Sequence, residues 1–381
     1  MTKYLLGLIG LWLMCSCSDT DSGETPPIDP PTPTPTVTIT KPEFVFGFQG
    51  QSKYSYCPSA LKQADGTVHL YFCGNPENLI MVDNIFHIKI NPDGTQTAAK
   101  SVLQPGVPGS WDDHHTCDPS VIEGNFTWKN TTYKYAMFFL SNMYGVYYNE
   151  IGVAFSNDLD ADSWVKYPQQ IVKKTWSSEG DQEIGGDGKS WGVGQPSVVS
   201  LDGKGKLLLT YTVGDIGGTR IVWTEADFSN MDTYSISTPQ TIVQTGLKAI
   251  DNQSRDYTCN SEFAIDKDAD KIVMIRPVQS MPNDYPNYLN SSLEIDYMNL
   301  SDFTNQRGNW TPIYRITPDD TGYPRNHNAT LLRDNFGHLQ DWEEPEFYFT
   351  VSKAAPDVQP SGSSHAEWTY HIWKSKVVKS K

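Results

Sequence analysis

Asp118-Pro119-Ser120-Val121-Ile122, followed after a turn by the apolar run Tyr135-Ala136-Met137-Phe138-Phe139, is the stretch that decides the fold, because it recurs along the chain. An earlier copy reads Cys57-Pro58-Ser59-Ala60-Leu61, turns at Asp65-Gly66 and continues as Val68-His69-Leu70-Tyr71-Phe72. A third reads Gln195-Pro196-Ser197-Val198-Val199, turns at Asp202-Gly203 and runs on from Leu207 to Tyr211. The fourth is degenerate, Glu262-Phe263-Ala264-Ile265, a turn near Asp268, then Ile272 to Ile275. The fifth is Asn328-Ala329-Thr330-Leu331-Leu332, a turn at Asp334-Asn335 and a weaker continuation at His338-Leu339. These runs are β-branched or aromatic and are bounded by Asp, Gly, Asn and Pro, as short strands are. No long segment carries helical period.

The second position of each copy falls at 58, 119, 196, 263 and 329, at intervals of 61, 77, 67 and 66 residues. Five such units fill 42–381. Repetition of this size, with several strands per unit, predicts an all-β chain folded as a five-bladed β-propeller; a β-sandwich with coincidental spacing is the competing fold. The C-terminal stretch Trp368-Thr369-Tyr370-His371-Ile372-Trp373 is expected to pair with Phe44-Val45-Phe46 and close the ring, which removes two open sheet edges.

What precedes the repeats belongs to targeting. Lys3 and the apolar run Leu5 to Met14 have the form of a signal peptide too short to span a bilayer. The run ends in Met14-Cys15-Ser16-Cys17-Ser18-Asp19, which resembles a bacterial lipobox with Cys17 as the lipidated residue and Cys15 as the alternative. Residues 1–17 are therefore expected to be a lipoprotein signal peptide. The following Ser18-Asp19-Thr20-Asp21 is similar to the export signal of Bacteroidetes surface lipoproteins, which implies an outer-membrane lipoprotein on the cell surface or the periplasmic face. Residues 18–41, with Pro26, Pro27, Pro30, Pro31, Pro33 and Pro35 among Thr and Asp, read as an extended tether.

The chain's formal net charge of −16 argues against nucleic acid or an anionic membrane surface as partner. A neutral glycan fits better, and 11 Trp and 20 Tyr supply rings enough for sugar stacking as well as for a large β core. A monomer is expected.

In a propeller, equivalent positions of the repeat ring one mouth of the central channel. The first position of each copy gives Cys57, Asp118, Gln195, Glu262 and Asn328. Four of the five are carboxylates or amides, side chains that are unfavourable beside a narrow channel unless they bind something or line water.

These repeats resemble the five-bladed propeller glycoside hydrolases, the broad group containing families 43, 32, 62 and 117, across 41–381. Asp118-Pro119-Ser120-Val121 matches their Asp-Pro strand starts. Ala154-Phe155-Ser156-Asn157-Asp158-Leu159 with Trp164 is similar to their recurring Ser-x-Asp-Leu…Trp hairpin. The resemblance implies a base Asp, a pKa-tuning Asp and an acid Glu on blades one to three. By position these are Cys57, Asp118 and Gln195, and only the second matches. A relocated pair, Glu262 as acid and Asp118 as base, would face each other across the axis, and glycoside hydrolysis uses two such carboxyls. Gln195 and Asn328 would then bind sugar hydroxyls. The alternative for Glu262 is a structural ion pair with Arg255.

The polar loop Trp111-Asp112-Asp113-His114-His115-Thr116-Cys117 leads into the second copy. His114 or His115 could contact substrate, or serve as the acid if Glu262 does not. His327, Trp111, Trp191, Tyr56 and Arg255 complete the expected substrate-binding set; for each aromatic, core packing competes. The loop's His, Asp and Cys could ligate metal, but their spacing matches no zinc motif, and no cofactor is expected; calcium could be held by channel carboxylates and amides. The turn register sets Cys57 almost opposite Cys73, which would allow a disulfide outside the cytoplasm. The leading function is a glycoside hydrolase acting on a poly- or oligosaccharide. The alternative is a non-catalytic surface glycan-binding propeller. A lyase or phosphorylase is a third reading, the latter needing phosphate ligands from scattered Arg255, Arg276 and Arg325.

Overall fold

The computed structural model describes residues 36–50, 53–77, 82–146, 148–174, 191–215, 218–252, 258–278, 290–352 and 369–380. Cys17, the leader, most of the tether and Arg255 lie outside them. No helix among the described residues is long and apolar enough to cross a membrane.

Five antiparallel sheets form the ring. Blade one holds β3 (Tyr54–Lys62), β4 (Val68–Asn75), β5 (Asn84–Ile90) and β6 (Lys100–Leu103); blade two holds β7 (His115–Trp128), β8 (Thr131–Asn142), β9 (Glu150–Ser156) and β10 (Val165–Lys166). Blade three is β11 (Gly192–Ser200), β12 (Lys206–Asp215) and β13 (Gly218–Asp227), edged by β14 (Ser235–Ile236) and β15 (Gln240–Thr241). Blade four is β16 (Glu262–Asp266), β17 (Lys271–Pro277), β18 (Leu293–Asn299) and β19 (Thr311–Ile316). In blade five, β20 (Arg325–Leu331) pairs β21 (Glu346–Ser352), which pairs β22 (Tyr370–Lys379). The outer edge of blade five comes from the other end of the chain, β1 (Val37–Ile39) and β2 (Glu43–Phe46), with Phe44 opposite Trp373. The ring closes as the sequence predicts. Closure pairs the outer edge of β22, which would otherwise be an open sheet edge.

Successive inner strands pack against one another in the order β3, β7, β11, β16, β20 and back to β3. Aliphatic and aromatic side chains from facing sheets fill the space between blades, as where Phe138, Phe155 and Val153 of blade two meet Val198, Leu209 and Phe228 of blade three.

The Pro-Ser signature now has a physical meaning. On each of β3, β7, β11 and β20 the pairing register slips at the repeat motif, so that two residues oppose one: Cys57-Pro58, Asp118-Pro119, Gln195-Pro196 and Asn328-Ala329. The first residue of each bulge has positive φ: 48° at Cys57, 49° at Asp118, 53° at Gln195 and 40° at Asn328. A bulge on the innermost strand has no ladder N–H to lose, so proline fits there. The Ser that follows accepts a backbone N–H from the next blade: Ser59 from Val121 (3.4 Å), Ser120 from Val198 (3.2 Å) and Ser197 from Phe263 (3.0 Å).

Blade four obeys the same rule two residues earlier than the sequence alignment places it. Asn260 has φ 50°, and Glu262 stands where the serines stand, accepting the N–H of Leu331 at 2.9 Å. The ring member of blade four is therefore Asn260, not Glu262. The disulfide Cys57–Cys73 is also corrected: Cys73 pairs with Cys117, while Cys57 and Cys259 are buried outside that bridge. The bulge turns Cys57 out of register with Cys73, so the strand opposite it no longer determines its partner.

Candidate active site

The five bulge positions converge on the axis and line a small cavity of about 40 Å³ with Cys57, Asp118, Gln195, Asn260, Glu262 and Asn328 on its wall. Their polar groups are joined blade to blade. Asn328 Nδ2 donates to Cys57 Sγ at 2.8 Å. The Cys57 thiol and the Gln195 backbone N–H both donate to the Asp118 carboxylate. Asn260 N–H donates to Gln195 Oε1 at 2.9 Å. His327 Nδ1 lies 2.5 Å from Asn328 Oδ1. An amide oxygen only accepts, so this nitrogen carries the proton of the neutral ring.

Asp118 is the one carboxylate among the five ring residues. Burial raises its carboxyl from the ordinary range to about 6, against the opposing bonds from Cys57 and Gln195. Burial also pushes the Cys57 thiol well up, with the Asp118 charge adding to it, so Cys57 stays a thiol. His327 is lowered to about 4, again by burial, and its ring meets Tyr370 edge-on at 4.9 Å.

Glu262 does not project into the mouth as a free acid. Its carboxylate lies 3.0 Å from Arg333 Nη2. Arg333 is fully buried on the axis, where Nη1 donates to the carbonyls of Val198 (3.0 Å) and Phe263 (3.1 Å). Glu262 thus takes part in a structural ion pair, with Arg333 as its partner; Arg255, the partner expected from sequence, lies outside the described residues. Burial still raises Glu262, and the Arg333 charge opposes that.

A second polar group, which sequence reasoning missed, flanks Asp118. Asp83 is fully buried and accepts from Tyr54 at 2.5 Å and Tyr56 at 2.7 Å, while His115 Nδ1 lies 3.3 Å from its Oδ2. Asp83 sits just before β5 in no recognisable motif. Only the fold brings it beside His115, which precedes Asp118 by three residues. Tyr56 is thereby committed to Asp83 and packs edge-on against Tyr54 and Tyr370. His114 lies nearer solvent, edge-on to the exposed Tyr144 at 5.4 Å.

The two tryptophans expected to stack on sugar pack on protein instead. Trp111 stacks on Phe139 at 5.9 Å and covers Gly152, whose missing side chain makes the room. Trp191 lies over Gly214, and its Nε1 faces Thr219 Oγ1 at 3.4 Å. The loop carboxylates serve structure as well: Asp112 pairs with Lys166 at 2.5 Å, and Asp113 accepts the N–H groups of Gly109 and Tyr144. Arg276 is held between Glu294 and Asp296, so it is not available to a phosphate.

As for metals, the mouth gathers Cys57, Cys73, Cys117 and Asp118, but two of these sulfurs are spent in the disulfide. Calcium takes six to eight oxygen ligands, and the ring offers one carboxylate, with Gln195 Oε1 and Asn328 Oδ1 already accepting. The donor set does not fit calcium.

No protein-family model and no curated protein matches the chain by sequence. The architecture is that of the five-bladed β-propellers found among glycoside hydrolases. Among solved structures the chain is similar to a family 117 glycoside hydrolase produced by the marine bacterium Zobellia galactanivorans, with a TM-score of 0.56, 10% identity and 90% of each chain covered. It is similar also to an α-L-arabinofuranosidase from Lactobacillus brevis, with a TM-score of 0.54, 10% identity and coverage of 84% of this chain and 90% of that one. A third is the α-L-arabinofuranosidase of Podospora anserina solved with cellotriose, TM-score 0.51, 10% identity, covering 88% and 95%. At these identities the likeness is one of fold.

Proposed function

We propose that this protein hydrolyses a glycosidic bond of a poly- or oligosaccharide at the axial mouth, anchored by lipid at Cys17 to the outer membrane. The observation that carries the reading is Asp118: the sole carboxylate of the five-residue ring, drawn by burial to about 6, the range in which a group takes and returns protons at physiological pH. Ionised, it acts as the base toward water. The proton for the leaving sugar oxygen comes from His115, whose Nδ1 is held 3.3 Å from the Asp83 carboxylate. Asn328, Gln195 and Asn260 supply the neutral hydrogen-bonding edge that sugar hydroxyls require.

The similar solved structures described as α-L-arabinofuranosidases make aryl and oligomeric α-L-arabinofuranosides the first substrates to try, followed by plant and algal oligosaccharides. Product release is compared among wild type, Asp118→Asn, His115→Gln and Glu262→Gln. Cleavage abolished in the first two and retained in the third supports the reading. The thiol and amide at Cys57 and Gln195, where the resembled families carry carboxyls, favour the other reading, a glycan-binding propeller without catalysis. Saturable binding of a glycan with no cleavage of any substrate would establish it.

A further inference from the structure

Far from the ring residues, the hairpin after β9 that carries Asp158-Leu159-Asp160 docks on blade one. Tyr71 donates its hydroxyl to Leu159 O at 2.6 Å, Trp164 meets the Tyr71 ring edge-on, and Trp164 N–H bonds Val102 O. Beneath this hairpin lie two histidines on neighbouring strands. His69 Nδ1 is 3.0 Å from His87 Nε2, and the rings stack with 14° between planes. His87 is fully buried, and its other nitrogen, Nδ1, has no hydrogen-bond partner and lies 3.9 Å from Asp160 Oδ1. The Asp160 carboxylate is divided: Oδ1 faces the histidine, while Oδ2 takes Lys89 at 2.9 Å.

The geometry points to a divalent transition-metal site, of zinc class, built from His69 Nδ1, His87 Nε2 and Asp160, which clips the blade-two hairpin to blade one. One donor atom from each residue falls within 4.8 Å of the other two. Zinc–nitrogen bonds of about 2.0 to 2.1 Å set two tetrahedral ligands roughly 3.3 Å apart, close to the present His–His separation. A buried imidazole pair without an ion satisfies only one of its hydrogen bonds internally. An ion held by both rings and by Asp160 replaces that bond with coordination. Imidazole and carboxylate together suit zinc, copper or nickel rather than calcium or magnesium.

The groups facing the pair are Asp160, Asp158 and Asp65, which favour a cation, and Lys89 and Lys100, which oppose it. Lys89 retains Asp160 Oδ2 and so orients the carboxylate. Asp160 is the exposed edge of the site, 36% open by side chain, and provides the entry route and room for water in the fourth position.

The test uses the full chain, stripped of metal by chelator, with zinc chloride as the only added ligand. One equivalent should bind and raise the melting temperature. His87→Gln and Asp160→Asn should each weaken binding at least tenfold, while Asp118→Asn leaves it unchanged. Cobalt(II) should give the visible absorption of a tetrahedral nitrogen and oxygen site, lost in both variants. Should His87→Gln fail to fold, Asp160→Asn carries the test, since its side chain is partly exposed and nearly isosteric. Zinc that leaves the melting temperature unmoved, or binding that survives Asp160→Asn and is lost in Asp118→Asn, overturns the proposal. The outcome is independent of whether the mouth cleaves sugar.

Discussion

Arg333 Nη2 and the Glu262 carboxylate meet at 3.0 Å, with both side chains buried on the propeller axis. Arg333 reaches every blade from there. Its own backbone N–H and carbonyl bond Ala60 and Lys62 of blade one, and its guanidinium bonds Val198 of blade three and Phe263 of blade four and approaches Ser120 of blade two at 3.5 Å. Removing the Glu262 charge strands a buried guanidinium. Glu262→Gln should therefore cost about 3 kcal/mol of stability, at the low end for a broken buried pair, because the amide can still accept from Leu331. Denaturant unfolding measures the loss. Turnover of the folded variant should stay within tenfold of wild type, and a collapse of kcat with the fold intact would return Glu262 to the role of general acid.

Asp118 makes stability depend on pH in an unusual direction. Its folded pKa of about 6 lies above the ordinary value of 3.8, so the folded state binds this proton more tightly than the unfolded chain does. The ionised form costs stability, a cost that grows as pH rises from about 4 to about 6 and is complete above that. Asp118→Asn should melt higher than wild type at pH 8, and the difference should vanish below about pH 4. With Asp118 ionised as the base, the acidic limb of the wild-type glycosidase profile should be centred near pH 6.

Cys73 and Cys117 tie blade one to blade two across a sequence separation of 44. Closing a loop of that size constrains the unfolded chain by about 4 kcal/mol in the chain-entropy account. The double substitution of both residues by Ala, which leaves no thiol for Cys57 to capture, should lower stability by roughly 2 to 4 kcal/mol. Changing Cys117 alone should cost less, because Cys73 then has Cys57 within reach; peptide mapping under non-reducing conditions would find the new bridge.

Closure of the ring rests on β1 and β2 against β22. A chain beginning at residue 47 lacks both outer strands and exposes the length of β22. It should aggregate or form oligomers through that edge, as size-exclusion chromatography would show. A soluble monomer would mean that β20, β21 and β22 suffice to hold blade five.

The fold was legible because its signals are local and repeated. Pro58, Pro119 and Pro196 mark bulges, the serines after them mark inter-blade bonds, and the apolar runs mark second strands. The candidate site was half legible. Cys57, Asp118, Gln195 and Asn328 were found because the motif placed them, whereas Asn260 was missed where the motif degenerates to Asn260-Ser261-Glu262. Matching Asn-Ser to Asn328-Ala329, and Glu262 to the inter-blade serines, was the signal available. For Asp83 there was none, since its partners Tyr54, Tyr56 and His115 meet it only in the folded ring. Trp111 and Trp191 read as sugar platforms because an aromatic beside a polar loop looks the same in sequence whether it faces a ligand or a glycine.

The sequence by itself determined the five-fold repeat, the all-β class, the closing strand pair and the identity of four ring residues, because strand period, turn chemistry and bulge prolines act over a few neighbouring residues. Only the tertiary structure decided which sulfurs pair, that Glu262 neutralises Arg333 on the axis and that Asp83 stands behind His115. Those outcomes depend on which side chains the ring brings together from blades far apart in the chain, and on the loss of water that makes a lone buried charge too costly to leave unpaired.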